Sequence, residues 1–229
     1  MEFKSFYSGS SGNLYQVKTE KGNLLIDPGV PISKIKKALG FNLSSVSAAL
    51  VSHSHGDHSK AVHDIARAGI DCLMTAQTAQ ALKMNGHRTQ IIEPRKQTEL
   101  NGVTILPFQT EHDCDGSVGF LVSDGKEKLL YATDTFFIRY KFKGLTIIAI
   151  ECNYSKETLA PDLDPTRKKR LYSSHMSLEN AIRFFKANDL SKIREIHLLH
   201  LSRENSDPEM FKRKIQECTG KPVFIGGKN

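Results

Sequence analysis

The chain has 229 residues, 39% hydrophobic and 25% charged, without a low-complexity tract; this excludes a disordered protein and suits one globular domain over 1–229. No apolar run approaches the roughly 20 residues that cross a bilayer, Met1-Glu2-Phe3-Lys4-Ser5 lacks the layout of a secretion signal, and Cys72, Cys114, Cys152 and Cys218 form no CxxC pair, so a reduced, cytoplasmic protein is expected. A formal net charge of +7 favours an anionic partner, a nucleic acid or a nucleotide.

Phe3 to Tyr7 reads as a strand ending in the small-residue turn Ser8-Gly9-Ser10-Ser11-Gly12-Asn13. Leu14 to Thr19 and Asn23 to Ile26 form a hairpin across Lys21-Gly22, and Asp27-Pro28-Gly29 ends the second strand with turn chemistry. Ile32, Ile35 and Leu39 recur at helical spacing and predict a helix over 32–39. A buried-type strand over 47–52 runs into a histidine-rich loop at 53–58, followed by a helix over 60–69 with Gly69 as C-cap. A strand over 72–74, a helix over 75–84, strands over 90–92 and 103–108, and a hairpin of 118–123 with 128–133 across Asp124-Gly125 come next. Thr146 to Cys152 is almost continuously apolar, as a buried strand is. Residues 155–174, with Pro161, Pro165 and Arg167-Lys168-Lys169-Arg170, show the least pattern and read as a loop or mobile insertion. Ser177 caps a helix running to Asn188, with Asn180 at its third position; a strand over 195–199, a helix over 208–219 and a closing strand over 222–225 follow. This order of strands and helices argues for an α/β fold of two packed sheets flanked by helices, not a doubly wound sheet.

The chemistry concentrates in Ser52-His53-Ser54-His55-Gly56-Asp57-His58-Ser59. Neutral imidazole nitrogens with a carboxylate oxygen form a donor set that suits zinc. In a turn, His53 and His55 can face one ion, while Asp57 and His58 reach a second.

The run His53-x-His55-x-Asp57-His58 resembles the His-x-His-x-Asp-His signature of the metallo-β-lactamase superfamily, and the resemblance continues in order from Ser8 to His200. It implies a four-layer αββα sandwich and two divalent metal ions, zinc first and manganese as the alternative. His112 is similar to the family's next ligand, Asp134 to its bridging carboxylate and His200 to its last histidine. By that carry-over one metal takes His53, His55, His112 and Asp134, and the other takes Asp57, His58, His200 and the shared Asp134. Asp27 resembles the aspartate that orients a ligand histidine from behind. Asp57 would also orient, or accept the proton of, a metal-bound water whose hydroxide attacks a phosphodiester. His175, in a Ser-His-Met-Ser element resembling one in phosphodiesterase members, would face a phosphate and protonate the leaving oxygen. His63, His87 and His197 fit no slot, and the four cysteines stay outside the site.

Three segments, Ser8 to Asn13, His175 to Ala181 and His200 to Asn205, are similar to the YycJ/WalJ-like group of double-stranded DNA exonucleases. That resemblance implies a DNA exonuclease, and relatives make a homodimer an expectation. The compact core also resembles phosphodiesterases that open cyclic phosphates, including phage enzymes that degrade cyclic nucleotides. A non-catalytic nucleic-acid-binding module on the same fold is a further alternative, while a thioesterase or glyoxalase would need neither His175 nor a basic surface. Arg139, Lys141, Lys143 and the 167–170 run could neutralise a phosphate backbone, with Phe136, Phe137 and Tyr140 available for stacking; solvated charge and core packing explain the same residues. Glu151-Cys152-Asn153 looks like a segment near the active site, without an assigned role.

Overall fold

A computed structural model describes residues 1–227. Strands β1 (Glu2–Tyr7), β2 (Leu14–Thr19) and β3 (Gly22–Ile26) pair antiparallel. Helix α1 (Ile32–Ala38) then returns the chain so that β4 (Val46–Leu50) lies parallel to β3. Through α2 (Gly56–Ser59) and α3 (Val62–Arg67) the chain reaches β5 (Asp71–Met74), and through α4 (Ala76–Ala81) it reaches β6 (Thr89–Ile91), both added in parallel. The first sheet therefore has the order β1-β2-β3-β4-β5-β6.

The second sheet starts as a meander of β7 (Thr98–Leu100), β8 (Val103–Gln109), β9 (Val118–Ser123) and β10 (Lys128–Ala132). It continues in parallel with β11 (Ile147–Glu151), β12 (Glu195–Leu199) and β13 (Val223–Ile225). Helices α5 (Pro165–Ser174) and α6 (Leu178–Ala187) connect β11 to β12, and α7 (Pro208–Thr219) connects β12 to β13.

The central strands of each sheet are buried on both faces. Phe3, Tyr15, Leu24, Leu50, Ile105, Phe120, Tyr131 and Ala149 pack between the sheets. Leu25, Ala49 and Cys72 turn outward under Ile35, Val62 and Ile65 of α1 and α3, whereas Ile148, Ile150 and Leu198 turn outward under Phe184, Phe185, Phe211 and Ile215 of α6 and α7. Side chains alternate across a strand, so strands covered on both faces must be apolar throughout, which is why β4 and β11 read as continuous runs. Burying each large aliphatic or aromatic side chain contributes about 1.5–3 kcal/mol. The result is the four-layer αββα sandwich. Among the described residues, no helix is long and apolar enough to cross a membrane.

The sequence reading needs three corrections. Residues 165–174 form a helix, not a loop: Asp164 caps it by accepting from the Arg167 backbone N–H, and Pro165 occupies its first turn. Its residues are mostly exposed, so there was no apolar period to detect. The helix placed at 60–69 starts at Val62, after the separate turn of α2, and the short edge strand β7 was not anticipated. Gly69 follows α3 with φ 86°, and Ser177 accepts from the Asn180 N–H, as their capping chemistry requires.

Candidate metal centre

All the parallel strands, and β8 two places from β10, end at one edge of the sandwich. The turns that leave this edge carry the site. Asp27 follows β3, the 53–58 turn follows β4, His112 follows β8, Asp134 follows β10, Glu151 ends β11 and His200 follows β12. Three of these residues, Asp27, Asp134 and His200, have φ of 51°, 51° and 52°. A left-handed turn costs a residue with a Cβ about 1–2 kcal/mol, and such strain collects at functional turns, where it aims the side chain. Gly29 has the opposite reason for its identity: a Cβ there would lie 1.7 Å from the Asp57 carbonyl oxygen, so only glycine lets the 27–30 turn pass under the 55–58 turn.

The ring nitrogens converge. His53 Nε2 lies 3.1 Å from His55 Nδ1, which lies 3.2 Å from His112 Nε2. Ser52 Oγ donates to Asp27 and therefore accepts from His53 Nδ1 at 2.9 Å, while the Ser174 carbonyl accepts from His112 Nδ1 at 3.1 Å. Both outer protons are thereby placed, and both inner Nε2 atoms are bare lone pairs. Lone pairs at such separations repel unless a cation sits among them. Nitrogens bound to tetrahedral zinc at about 2.0 Å would be about 3.3 Å apart, close to what is seen. Asp134 faces His58 Nε2 at 3.1 Å, His53 Nε2 at 3.4 Å and His112 Nε2 at 3.7 Å with Oδ2. Its Oδ1 faces His200 Nδ1 at 3.4 Å and, although buried, has no hydrogen-bond partner.

Two groups of donor atoms, each within 4.8 Å of one another, emerge: His53, His55, His112 and Asp134, and Asp57, His58, His200 and Asp134. These are the two sets expected from the sequence, with Asp134 shared. Asp27 accepts from His58 Nδ1 at 2.8 Å, behind the ring. A third group joins Asp134, Glu151, His175 and His200.

The electrostatics call for positive charge. Asp27, Asp134 and Glu151 are 0–3% exposed. Burial presses the Asp134 carboxyl upward, yet His200 and His58 hold it well below the usual range. Burial likewise lowers His200, but Asp134, Asp57 and Glu151 lift it to about 10. His58 is also raised well above the ordinary value against burial, by Asp134 and Asp27. His53 goes the other way: burial, then His58, lower it to about 4. With protein groups alone, protons on His58 and His200 neutralise the carboxylates; the donor set and the orphaned Asp134 oxygen fit metal cations in that role.

His175 stands beside this cluster. Its Nδ1 donates to Glu151 Oε1 at 2.6 Å, and its ring stacks on His200 at 5.5 Å. Glu151 Oε2 accepts from the Thr135 and Met176 backbone N–H groups at 3.0 and 3.1 Å, so the carboxylate is fixed. Sequence reasoning gave Glu151 no role; a carboxylate closing an otherwise apolar strand was the available signal. Asn13 was also missed: it donates to the Asp57 carbonyl at 3.1 Å, while Ser8 Oγ accepts from the His200 N–H at 2.8 Å. The Ser8–Asn13 turn thus buckles the two ends of the cluster together. His63 and His87 are exposed elsewhere, His197 packs between Phe3 and Phe224, and all four cysteines are free. Arg139 pairs with Glu111, next to His112.

Comparison with known proteins places the fold and the family. The chain is 28% identical over 221 residues to exodeoxyribonuclease WalJ of Streptococcus pneumoniae serotype 2, covering 89% of this chain and 82% of that protein. It is 24% identical over 244 residues to exodeoxyribonuclease YycJ of Bacillus anthracis, covering 100% and 92%. Among solved structures, the metallo-β-lactamase fold protein YhfI of Bacillus subtilis superposes with a TM-score of 0.75 at 17% identity, covering 98% of this chain and 95% of that one. Unliganded yeast PDE1 superposes with a TM-score of 0.69 at 10% identity, covering 98% and 96%. Residues 7–146 match the family model of the Metallo-beta-lactamase superfamily, and this chain, with its sandwich and its edge of converging histidines and aspartates, is a metal-dependent hydrolase belonging to that superfamily.

Proposed function

We propose that the protein is a binuclear-metal phosphodiesterase that degrades DNA from its ends. The observation that carries this is a single cavity of about 430 Å³ that brings together the shared Asp134, His175 and two arginines, Arg167 and Arg170. Metal donors, a proton donor and phosphate-binding cations thus face one space. The names of the Streptococcus and Bacillus relatives, both exodeoxyribonucleases, point to the same substrate.

His53, His55, His112 and Asp134 would hold one ion, and Asp57, His58, His200 and Asp134 the other; the N/O donors favour zinc, with manganese as the alternative. When bound, the pair supplies Lewis-acid charge to a phosphoryl oxygen and lowers the pKa of water toward neutrality. Asp57, half-buried and held by His200 below the usual carboxylate range despite its burial, is ionised and takes the proton of the attacking water. His175 acts on the other side of phosphorus. Burial lowers its pKa, but Glu151 and Asp134 outweigh that and raise it above the ordinary imidazole value, which favours the protonated ring. Since Nδ1 is committed to Glu151, Nε2 delivers its proton to the leaving oxygen. Asp27 keeps the His58 ring in register.

One observation favours a second reading. A cavity of this size also suits a single nucleotide, as a phosphodiesterase for small cyclic nucleotides requires. The deciding experiment offers linear duplex DNA and a panel of cyclic mononucleotides to the zinc- and manganese-loaded protein. Loss of DNA from its ends with cyclic nucleotides intact is expected; the reverse would move the function to cyclic-nucleotide degradation. His175→Ala should keep its metal and lose about 10²–10⁴-fold in activity. Full activity in that variant would remove the proton-donor assignment.

A further inference from the structure

Arg167 and Arg170 reach beyond the cavity of the metal centre. They stand three residues apart on α5 and so share one face of the helix. Both line a second cavity of about 380 Å³, which adjoins the first at His175 and His200 and extends to Ser202, Arg203 and Glu204. Its wall carries three arginines against one carboxylate, with the Ser10 and Ser202 residues beside them. The arginines are only loosely engaged: Arg170 Nε donates to Asp113 at 2.9 Å and Arg167 lies 3.5 Å from Glu204, with side chains 64% and 69% exposed. Exposed pairs of this kind are weak. A terminal phosphate carries higher charge and presents pairs of oxygens that a guanidinium binds bidentately, so it competes with these carboxylates for the arginines.

We infer that the second cavity is a subsite for a phosphate on the leaving nucleotide, one step from the scissile bond, held by Arg167, Arg170 and Arg203. The inference rests on the phosphodiesterase reading and adds where the leaving fragment goes. His175 lines both cavities, so the oxygen it protonates lies at their junction and the departing fragment extends into the second. The volume is in the range of single small-molecule sites, about 300–1,000 Å³, and accommodates a terminal nucleotide with its phosphate. Helix α5, reached through the Asp164 cap, is then the wall that reads a chain end.

The test uses three dinucleotides with the same scissile bond: one without terminal phosphate, one with a 5′-phosphate and one with a 3′-phosphate. The metal-loaded wild type should favour one phosphorylated form by about tenfold or more in kcat/KM, which also identifies the end. In the Arg167→Ala/Arg170→Ala double variant that preference should shrink to near unity. Equal cleavage of all three by the wild type overturns the subsite and leaves the phosphodiesterase reading standing, and a preference that survives in the variant overturns the assignment to these arginines. Failure to cleave any of them counts against the phosphodiesterase reading itself. Binding of labelled, end-phosphorylated duplex in chelator then tests the subsite independently of activity. There, the slope of log K against log salt should become shallower by about 2 in the double variant; an unchanged slope overturns the subsite.

Discussion

Replacing Tyr131 with phenylalanine probes the polar bed beneath the candidate metal centre. Asp27 is fully buried and receives four hydrogen bonds: from the Ser52 N–H, Ser52 Oγ and His58 Nδ1, each at 2.8 Å, and from Tyr131 Oη at 2.5 Å. Phenylalanine preserves the ring contacts with Tyr15 and Phe120, at 5.3 and 6.2 Å between centroids, and removes only the hydroxyl. A hydrogen bond to a charged group contributes about 1.5–3 kcal/mol, so the chelated protein should lose about 2 kcal/mol of unfolding free energy. The effect should also reach the metal, because Asp27 holds the His58 ring. Loss of a partner behind a ligand histidine typically lowers affinity about 10–100-fold, equivalent to about 1.4–2.8 kcal/mol. Urea unfolding in chelator measures the first quantity, and zinc competition against a chromophoric chelator measures the second. A stability change within about 0.5 kcal/mol together with an unchanged zinc affinity would refute the reasoning.

Four other outcomes are expected. Asp134→Ala removes the carboxylate common to all the donor groups, so bound metal and hydrolysis should both vanish while circular dichroism stays native; full activity in a metal-free variant would sink the binuclear reading. Gly29→Ala drives a Cβ into the Asp57 carbonyl, which no rotamer relieves; a loss of about 1–3 kcal/mol and a fall in metal content should follow, and normal metal content would show that the two turns can separate. For pH, His200 at about 10 lies above its unfolded value near 6.5, so its contribution is complete below pH 6.5 and lost as pH rises through 10. His53 at about 4 lies below that value, so its contribution is complete above pH 6.5 and lost as pH falls through 4; stability in chelator should therefore peak near pH 6.5, and unfolding curves that stay flat from pH 7 to 10 would contradict this. Glu151→Gln removes the carboxylate that raises His175, so the alkaline limb of the pH–rate profile should move to lower pH; an unmoved limb would separate His175 from that proton.

What could be read from the sequence depends on how locally each feature is encoded. The 53–58 turn was legible because its donors are neighbours in the chain. The buried strands were legible because both of their faces are covered. His112, Asp134 and His200 were found only through the resemblance to the superfamily's ordered ligands, since nothing in their own neighbourhoods distinguishes a ligand from an ordinary polar residue. Structure adds the reason they converge: these turns leave one edge, and two of the residues adopt left-handed backbone that aims them inward. Helix α5 escaped notice because it covers no apolar layer, and its Asp164-Pro165 start was the only local signal.

The roles of Glu151, Tyr131 and Asn13 were out of reach for a different reason. Each acts on a residue at least 24 positions away: Glu151 on His175, Tyr131 on Asp27 and Asn13 on Asp57. Their side chains are ordinary in the strand or turn that carries them and acquire meaning only when the sheets pack. The division has a physical basis. Donor atoms must meet within a few ångströms, and short turns place several at once, whereas the groups that fix their tautomers and charge are supplied by whichever strand lies underneath. For the same reason, substitutions at Tyr131 and Glu151 should alter affinity and pH dependence without removing a single donor from either group.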